Sequence, residues 1–244
     1  MRKKDKLYLD IVYEDNHLLV INKPCGYLVQ GDSTGDKPLL DHGKDYIKEK
    51  YNKPGDVFLG VVHRLDRPVS GLVVFARTSK ALERMNRLFH DKKVQKTYWA
   101  ITKQKTRPEI GKLVNWLKKD QEKNITKAYD EEIEGSKRAE LSYRYLGTLN
   151  RHHLIEVSPK TGRPHQIRVQ LSNLGCPIRG DIKYGFNKAN EDKSIHLHAR
   201  KLYFIHPIKK EPLELIAGVP ENEFWEQFLT FDKSSNLRDS KRYQ

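Results

Sequence analysis

Residues 61–75 read VVHRLDRPVSGLVVF, and the rest of the chain can be interpreted outward from them. One carboxylate, Asp66, lies between two guanidinium groups, Arg64 and Arg67, which favour its ionised form by proximity of opposite charge. Pro68 and Gly71 are typical turn residues, and the apolar run after them predicts a buried strand. Taken alone, such a stretch is typical of an exposed loop held by surface ion pairs.

The composition indicates an anionic partner. The chain has 244 residues, a formal net charge of +14 and a sequence pI of about 9.6. Nucleic acid is the first candidate for a chain this basic, and a merely soluble basic surface is the alternative. The two cysteines, Cys25 and Cys176, form no disulfide framework, which fits a reducing cytoplasm. No apolar run approaches the roughly 18 residues that a membrane helix needs, so a cytoplasmic protein without membrane contact is expected.

Local patterns predict the elements of the first half. Two short strands lie at residues 7–15 and 17–23, and a loose helical spacing follows at 38–51. Ser79 is the expected N-cap of a helix that runs to about Asp91. Residues 94–101 are rich in β-branched and aromatic side chains, which predicts a strand.

The second half is predicted to be mostly strands. Residues 103–127 are rich in lysine and are expected to form a loop or a hairpin, in which Trp116 either stacks on a base or anchors the chain. Residues 139–146 and 153–157 predict a second hairpin. Pro164 is expected in the first turn of a helix that ends at Gly175. Strands at 195–205 and 213–217 and a short helix at 224–229 complete the pattern.

Sequential strand pairs with few helices between them predict an α+β fold with a largely antiparallel, mixed sheet and flanking helices. We expect one catalytic domain over residues 1–231 and a polar, disordered tail over residues 232–244.

Several kinds of chemistry find little support in the sequence. His196 and His198 alternate on a predicted strand, but solvent-facing histidines explain them better than a metal site does. No phosphate-binding glycine pattern and no nucleophile elbow occurs. A glycosidase needs two carboxylates, and Asp181 or Glu83 would have to accompany Asp66. One carboxylate among arginines, with aromatic strands nearby, suits chemistry on a nucleotide lifted out of an RNA stack.

The chain resembles the RluA-type pseudouridine synthases, which isomerise uridine in ribosomal or transfer RNA. The matching segments occur in the family's order over about residues 10 to 220. They are NKPxG at 22–26, HRLDxxxSG at 63–71, KxYxA at 96–100, TGRxHQIRV at 161–169, GDxxYG at 180–185 and LHA at 197–199.

The resemblance implies a role for each site residue. Asp66 would act at C1′ of a flipped-out uridine, either as nucleophile or by assisting loss of uracil. Arg168 would pair with Asp66 and orient it, and Tyr98 would stack on the uracil and take part in proton transfer. Further implied contacts to the substrate or RNA come from Arg64, Arg67, Arg163, His165 and Leu197, while Gly26, Gly71 and Gly162 would be turn residues.

The resemblance also implies a central RNA-binding cleft, no cofactor and no metal. The expected partner is ribosomal or transfer RNA, bound by a monomer. Two positions depart from the family pattern, Val69 in place of threonine and Gln170 in place of histidine. The S4-like domain that often precedes the catalytic segments is expected to be absent. Two alternatives stay open: a catalytically silent RNA-binding protein on the same fold, and a glycoside-cleaving enzyme.

Overall fold

The computed structural model describes residues 7–232 of the chain. They form two compact units. The first unit contains the chain up to Tyr98 and Asn190–Gly218, and the second contains Trp99–Ala189 and the chain from Val219. A single catalytic domain over residues 1–231 stays a prediction, and the predicted tail from residue 233 onward lies outside the described residues.

The described residues contain eleven strands, four α-helices and two short 3₁₀ helices, at Ile182–Tyr184 and Gln227–Phe231. The strands are β1 (Asp10–Glu14), β2 (Leu18–Lys23), β3 (Gly60–Val61), β4 (Ser70–Ala76), β5 (Gln95–Thr102), β6 (Ile110–Asp120), β7 (Ile125–Tyr129), β8 (Lys137–Leu149), β9 (His152–Pro159), β10 (Leu197–Ile205) and β11 (Pro212–Ile216). The helices are α1 (Leu39–Lys50), α2 (Ser79–His90), α3 (Gln166–Asn173) and α4 (Glu223–Glu226).

The predicted fold class is confirmed. Strands β1–β2, β2–β4, β3–β4 and β10–β11 pair antiparallel in the first unit, as do β6–β7, β6–β8 and β8–β9 in the second. The pairing of β10 with β4 is parallel, so the pattern is mixed. Few helices accompany these strands, as the alternation of short apolar segments predicts.

The core of the first unit is built on β4. Its strand order is β1-β2-β4-β10, and every residue of β4 is buried. Helix α2 packs Ala81 and Met85 onto this layer, beside Leu72 and Val74 of β4. The buried strand predicted after the Asp66 turn is therefore confirmed. Because β4 is covered on both faces, its sequence is a nearly continuous apolar run.

The start of α2 differs slightly from the prediction. Thr78, rather than Ser79, is the N-cap: its backbone is extended, and its Oγ1 accepts a hydrogen bond from the N–H of Ala81 at 3.1 Å. Either hydroxyl could cap a helix, and only the backbone angles decide between two adjacent residues.

Gly71 is not a turn residue, contrary to the prediction. It lies inside β4 with φ +112°, directly opposite Ala199 of β10. A Cβ atom at this position would lie 2.5 Å from the backbone nitrogen of Ala199. Gly71 thus permits the close approach of the parallel strand β10 to the residues that follow Asp66.

We expect Gly71→Ala to lower the free energy of unfolding by about 2–4 kcal/mol, because strained backbone and overpacking each cost about 1–3 kcal/mol. Gly55→Ala is the matched control, since a Cβ there meets no atom within 4 Å. Urea unfolding of the two variants measures the difference. Equal stabilities would contradict the close approach of β10 to β4.

The second unit contains the strand order β5-β9-β8-β6-β7. The lysine-rich segment forms the hairpin β6–β7, so the hairpin alternative is the one observed. The predicted hairpin β8–β9 is also confirmed, and its turn residues Asn150 and Arg151 both have positive φ, as a tight hairpin turn requires. A second apolar cluster contains Trp99, Ile101, Leu154, Trp225 and Phe228.

Helix α3 begins two residues later than predicted. His165 is its N-cap, with a left-handed φ of +53°, so Pro164 precedes the helix rather than occupying its first turn. The predicted end is confirmed at Gly175, which has φ +80° and donates its N–H to the carbonyl of Ser172. Ile167 and Leu171 of this helix are buried.

Candidate active site

Asp66 lies on a turn whose backbone is fixed at three successive carbonyls. The carbonyl of Asp66 accepts from the N–H of Val69 at 3.0 Å, and that of Pro68 accepts from Ile195 at 3.1 Å. The carbonyl of Arg67 accepts from the N–H of Gly26 at 2.8 Å. The partly buried Asp66 side chain therefore projects from a rigid support, as a catalytic group requires.

Lys23 supports the same turn from beneath. It is fully buried, and its Nζ donates to the carbonyls of Pro24 at 3.0 Å, Tyr27 at 2.9 Å and Arg67 at 3.2 Å. Burial lowers the pKa of Lys23 to about 7, and the nearby thiol of Cys25 and carboxylate of Asp66 oppose this change. The NKPxG segment pointed to Lys23, but its role could not be seen without the fold.

The titration of Lys23 predicts a pH dependence. Its pKa is about 7 in the folded chain and ordinarily 10.5, so between these values the unfolded chain binds more protons. The free energy of unfolding should therefore rise with pH across this window, by at most about 1.4 kcal/mol per pH unit. Urea unfolding from about pH 7 to about pH 9.5 should show this rise in the wild type relative to Lys23→Met. A constant difference between the two would contradict it.

Tyr98 belongs to the same unit as Asp66. It lies in β5, and it is the last residue of this strand that belongs to the first unit. Burial raises the pKa of its hydroxyl well above the usual range, and the Asp66 carboxylate raises it further. The phenol therefore stays protonated at neutral pH, where it can donate a proton or a hydrogen bond but cannot act as a resting base. The predicted stacking on uracil stays a prediction.

Leu197 opens β10 and is buried. The next residue, His198, is paired in register with Ser70, and its Nδ1 lies 2.9 Å from the Ser70 hydroxyl oxygen. His196 and His198 are both buried, so the prediction of solvent-facing histidines is wrong. Burial lowers the pKa of His198 to about 3, and Arg200 lowers it further. The imidazole of His198 is therefore a neutral packing group within β10.

The two arginines that flank Asp66 are exposed. Arg67 donates from Nε to the carbonyl of Gly26 at 2.9 Å and forms an ion pair with Asp36 at 2.6 Å, so it fastens the turn to a neighbouring loop. It also lines a cavity of about 1160 Å³ together with Tyr27 and Tyr46. Contacts of Arg64 and Arg67 with RNA stay predictions.

His63 of the HRLD segment is a packing residue. Its Nε2 accepts a hydrogen bond from the N–H of Val74 at 3.2 Å, and its ring stacks on Phe89 with 4.8 Å between centroids. Burial lowers the pKa of His63 to about 3, and Lys96 lowers it further. The neutral imidazole thus connects the strand before Asp66 to the strand after it.

In the second unit, Arg168 forms a buried, two-pronged ion pair with Asp181. Its Nε donates to Oδ2 at 2.7 Å and its Nη2 to Oδ1 at 2.9 Å. The guanidinium carbon also lies 4.9 Å from the centre of the Tyr184 ring. The sequence suggests Asp181 only as a second acid, although the GDxxYG segment contains both Asp181 and Tyr184, which contact Arg168. The predicted pairing of Arg168 with Asp66 stays a prediction, since these residues belong to different units.

The residues before α3 make internal contacts. The Nδ1 of His165 lies 2.7 Å from the Tyr184 hydroxyl oxygen, and this oxygen accepts a hydrogen bond from the N–H of Thr126 at 2.8 Å. The Nε of Arg163 donates to the carbonyl of Arg138 at 3.2 Å. These bonds hold the loop in place, and the RNA contacts predicted for His165 and Arg163 stay predictions.

Two negative findings apply to residues 7–232. No group of three or more histidine, cysteine or acidic side chains in this range is arranged to hold a metal ion. Within the same range, no helix is both long enough and apolar enough to cross a membrane.

Comparisons with known proteins agree on one family. A family model described as RNA pseudouridylate synthase matches residues 17–173. The tRNA pseudouridine synthase C of Vibrio parahaemolyticus is 32% identical over 241 residues, covering 91% of this chain and 94% of that protein. The ribosomal large subunit pseudouridine synthase C of Rickettsia prowazekii is 34% identical over 212 residues, covering 86% of this chain and 68% of that protein.

Solved structures show the same likeness. The human RNA pseudouridylate synthase domain containing 4 superposes with a TM-score of 0.73 at 27% identity, covering 91% of this chain and 92% of that one. The human RNA pseudouridylate synthase domain containing 1 superposes with a TM-score of 0.71 at 22% identity, covering 100% and 98%, and this match bears on the fold alone.

Proposed function

The chain belongs to the RNA pseudouridylate synthase family, and from this premise we propose that it isomerises specific uridines to pseudouridine in ribosomal or transfer RNA. The observation that carries the proposal is Asp66, held on a turn fixed at three carbonyls beside the protonated phenol of Tyr98. A rigid carboxylate paired with a proton donor is suited to opening and remaking a glycosidic bond.

The reaction is an isomerisation and balances without a co-reactant. The bond between N1 of uracil and C1′ breaks, the base turns, and a bond forms between C5 and C1′. The proton on C5 leaves, and N1 gains one. Asp66 either forms a bond to C1′ or assists loss of uracil while a proton leaves C2′. We propose that the uridine is flipped out of its stack before either step.

Neither alternative function is favoured. A catalytically silent RNA-binding protein has no need of Asp66, Tyr98 and Arg168 together, and all three are present. A glycosidase needs a second carboxylate, yet Asp181 is occupied by its bidentate pair with Arg168. The finer expectations, a cytoplasmic location and a monomer, are also proposals, and the two free cysteines support the first of them.

Tritium release tests the function. Total RNA labelled with tritium at uracil C5 is incubated with the wild-type protein, and released tritium and free uracil are measured together. We expect tritium release with no free uracil, because the base leaves C1′ only to rejoin it. Free uracil as the main product would support the glycosidase instead, and no release from any RNA would support the silent RNA-binding protein. Mapping pseudouridine in a strain without the gene would identify the modified positions.

A further inference from the structure

The outer face of the β6–β7–β8 sheet in the second unit combines cations with aromatic rings. Side chains alternate along a strand, and residues paired across strands share a face. The register places Lys118 opposite Lys127, Trp116 opposite both Tyr129 and Arg138, and Val114 opposite Glu140. We call this surface the cationic face, and it contains Lys112, Val114, Trp116, Lys118, Lys127, Tyr129, Arg138 and Glu140, with Lys160 beside it.

The centre of the cationic face is one carboxylate surrounded by three cations. Glu140 is only 7% exposed, and Lys112, Arg138 and Lys160 form ion pairs with it at 2.8, 2.8 and 3.2 Å. Hydrogen bonds from Lys112 and Lys160 hold the pKa of Glu140 at about 2, so it is ionised at neutral pH. One negative charge cannot neutralise three positive ones. The three cations remain 51–64% exposed and carry a net excess of two charges towards solvent.

The next cations along the face repel each other. Lys118 and Lys127 are exposed and lie directly opposite one another on neighbouring strands. Like charges in this position destabilise a sheet, so local stability does not explain the pair. An anion bound between the two lysines would remove the repulsion.

An aromatic pair lies between these two groups of cations. Trp116 and Tyr129 are opposite each other, one alternation from Lys118 and Lys127, and both are partly exposed. Successive side chains on one face of a strand are about 7 Å apart. Cations therefore flank a stacking surface on both sides, which is the arrangement that binds single-stranded nucleic acid.

We propose that the cationic face binds a single-stranded segment of the substrate RNA that does not contain the reacting uridine. Its lysines and arginine contact phosphates, and Trp116 and Tyr129 stack on bases. This inference rests on the proposed function, because it assumes that the substrate is RNA. It also assigns a role to the lysine-rich hairpin. For Trp116, the sequence allows either stacking on a base or anchoring of the chain, and the proposal selects stacking.

Salt-dependent binding tests the cations. The probe is a fluorescein-labelled oligouridylate of about 12 nucleotides, and its affinity is measured by anisotropy at several salt concentrations. Each phosphate contact on a single strand contributes about 0.7 to the slope of log K against log[salt]. We expect the double variant Lys118→Ser/Lys127→Ser to lower the slope by about 1.4. The matched control Lys48→Ser/Lys53→Ser changes the same charge in the first unit and should leave the slope unchanged.

Stability separates binding from a structural role. The Lys118→Ser/Lys127→Ser variant removes a repulsion, so its unfolding temperature should equal or exceed that of the wild type. Weaker binding by a protein of undiminished stability would support the proposal. A slope equal to that of the wild type, or an equal loss in the Lys48→Ser/Lys53→Ser control, would overturn it.

Tryptophan fluorescence tests the stacking surface. The chain has three tryptophans, and Trp99 and Trp225 are only 1% and 2% exposed. Quenching by the oligouridylate should therefore come from Trp116 and disappear in Trp116→Leu, with binding about tenfold weaker, as loss of one base stack predicts. Quenching that persists in Trp116→Leu would overturn the assignment.

The same measurements in an Asp66→Asn background need no turnover. We expect the tryptophan quenching and the salt slope to persist in the inactive Asp66→Asn variant. The binding proposal can therefore fail while the wild type releases tritium, and it can hold while the wild type releases none.

Discussion

Asp66→Asn should abolish pseudouridine formation, with a fall in rate of at least about 10³-fold, the order expected when a unique reacting group is removed. Asparagine has nearly the same shape as aspartate, but its neutral amide is a weak nucleophile and cannot balance positive charge developing at C1′. The measurement is tritium release from RNA labelled at uracil C5, with the variant and the wild type at equal concentration.

The turn that carries Asp66 provides the reason to expect a folded variant. Its three carbonyl contacts involve backbone atoms and do not depend on the carboxylate. Circular dichroism and the unfolding temperature should therefore match the wild type within small margins, and RNA binding should persist. Retention of more than about a tenth of the wild-type rate would refute the assignment of Asp66 as the reacting carboxylate.

Asp181→Leu should lower the free energy of unfolding by about 3–5 kcal/mol. The substitution removes the bidentate carboxylate partner of the buried Arg168 guanidinium, and breaking a buried ion pair by removing one partner has this cost. Urea unfolding measures the loss. A decrease smaller than about 1 kcal/mol would show that Asp181 contributes little to holding Arg168.

The double variant Arg168→Leu/Asp181→Leu separates stability from catalysis. Removing both charges often restores stability, because two desolvated ions give way to apolar packing. If Arg168 positions Asp66, as predicted, the double variant should be stable and yet as inactive as Arg168→Leu alone. Recovery of tritium release together with stability would show that Arg168 has a structural role only.

Local sequence patterns were sufficient for most of the fold. The apolar run after Asp66 predicts β4, and the helix expected from Ser79 to about Asp91 corresponds to α2. The patterns at residues 139–146 and 153–157 predict the hairpin β8–β9. These elements follow from side chains a few residues apart, whose periodicity is present in the sequence itself.

Two of the errors have a different cause. Local pattern predicts a turn at Gly71 because glycine is common in turns, whereas the backbone of Ala199 in the distant strand β10 is what leaves no room for a Cβ atom at this position. The alternation of His196 and His198 on a predicted strand favours a solvent face, yet both are buried. In each case the deciding neighbour is distant in sequence, and no local pattern describes it.

Residue types and short spacings are enough to identify the family, most of the strands and helices, and Asp66 as the leading candidate carboxylate. The groups that hold Asp66 and Arg168 are seen only in the folded structure. Three carbonyls converge on the buried amine of Lys23 beneath the Asp66 turn, and Asp181 binds Arg168 through both carboxylate oxygens. The physical reason is desolvation. A charged group that is buried loses its hydrogen bonds to water, so the folded chain must provide hydrogen bonds in their place.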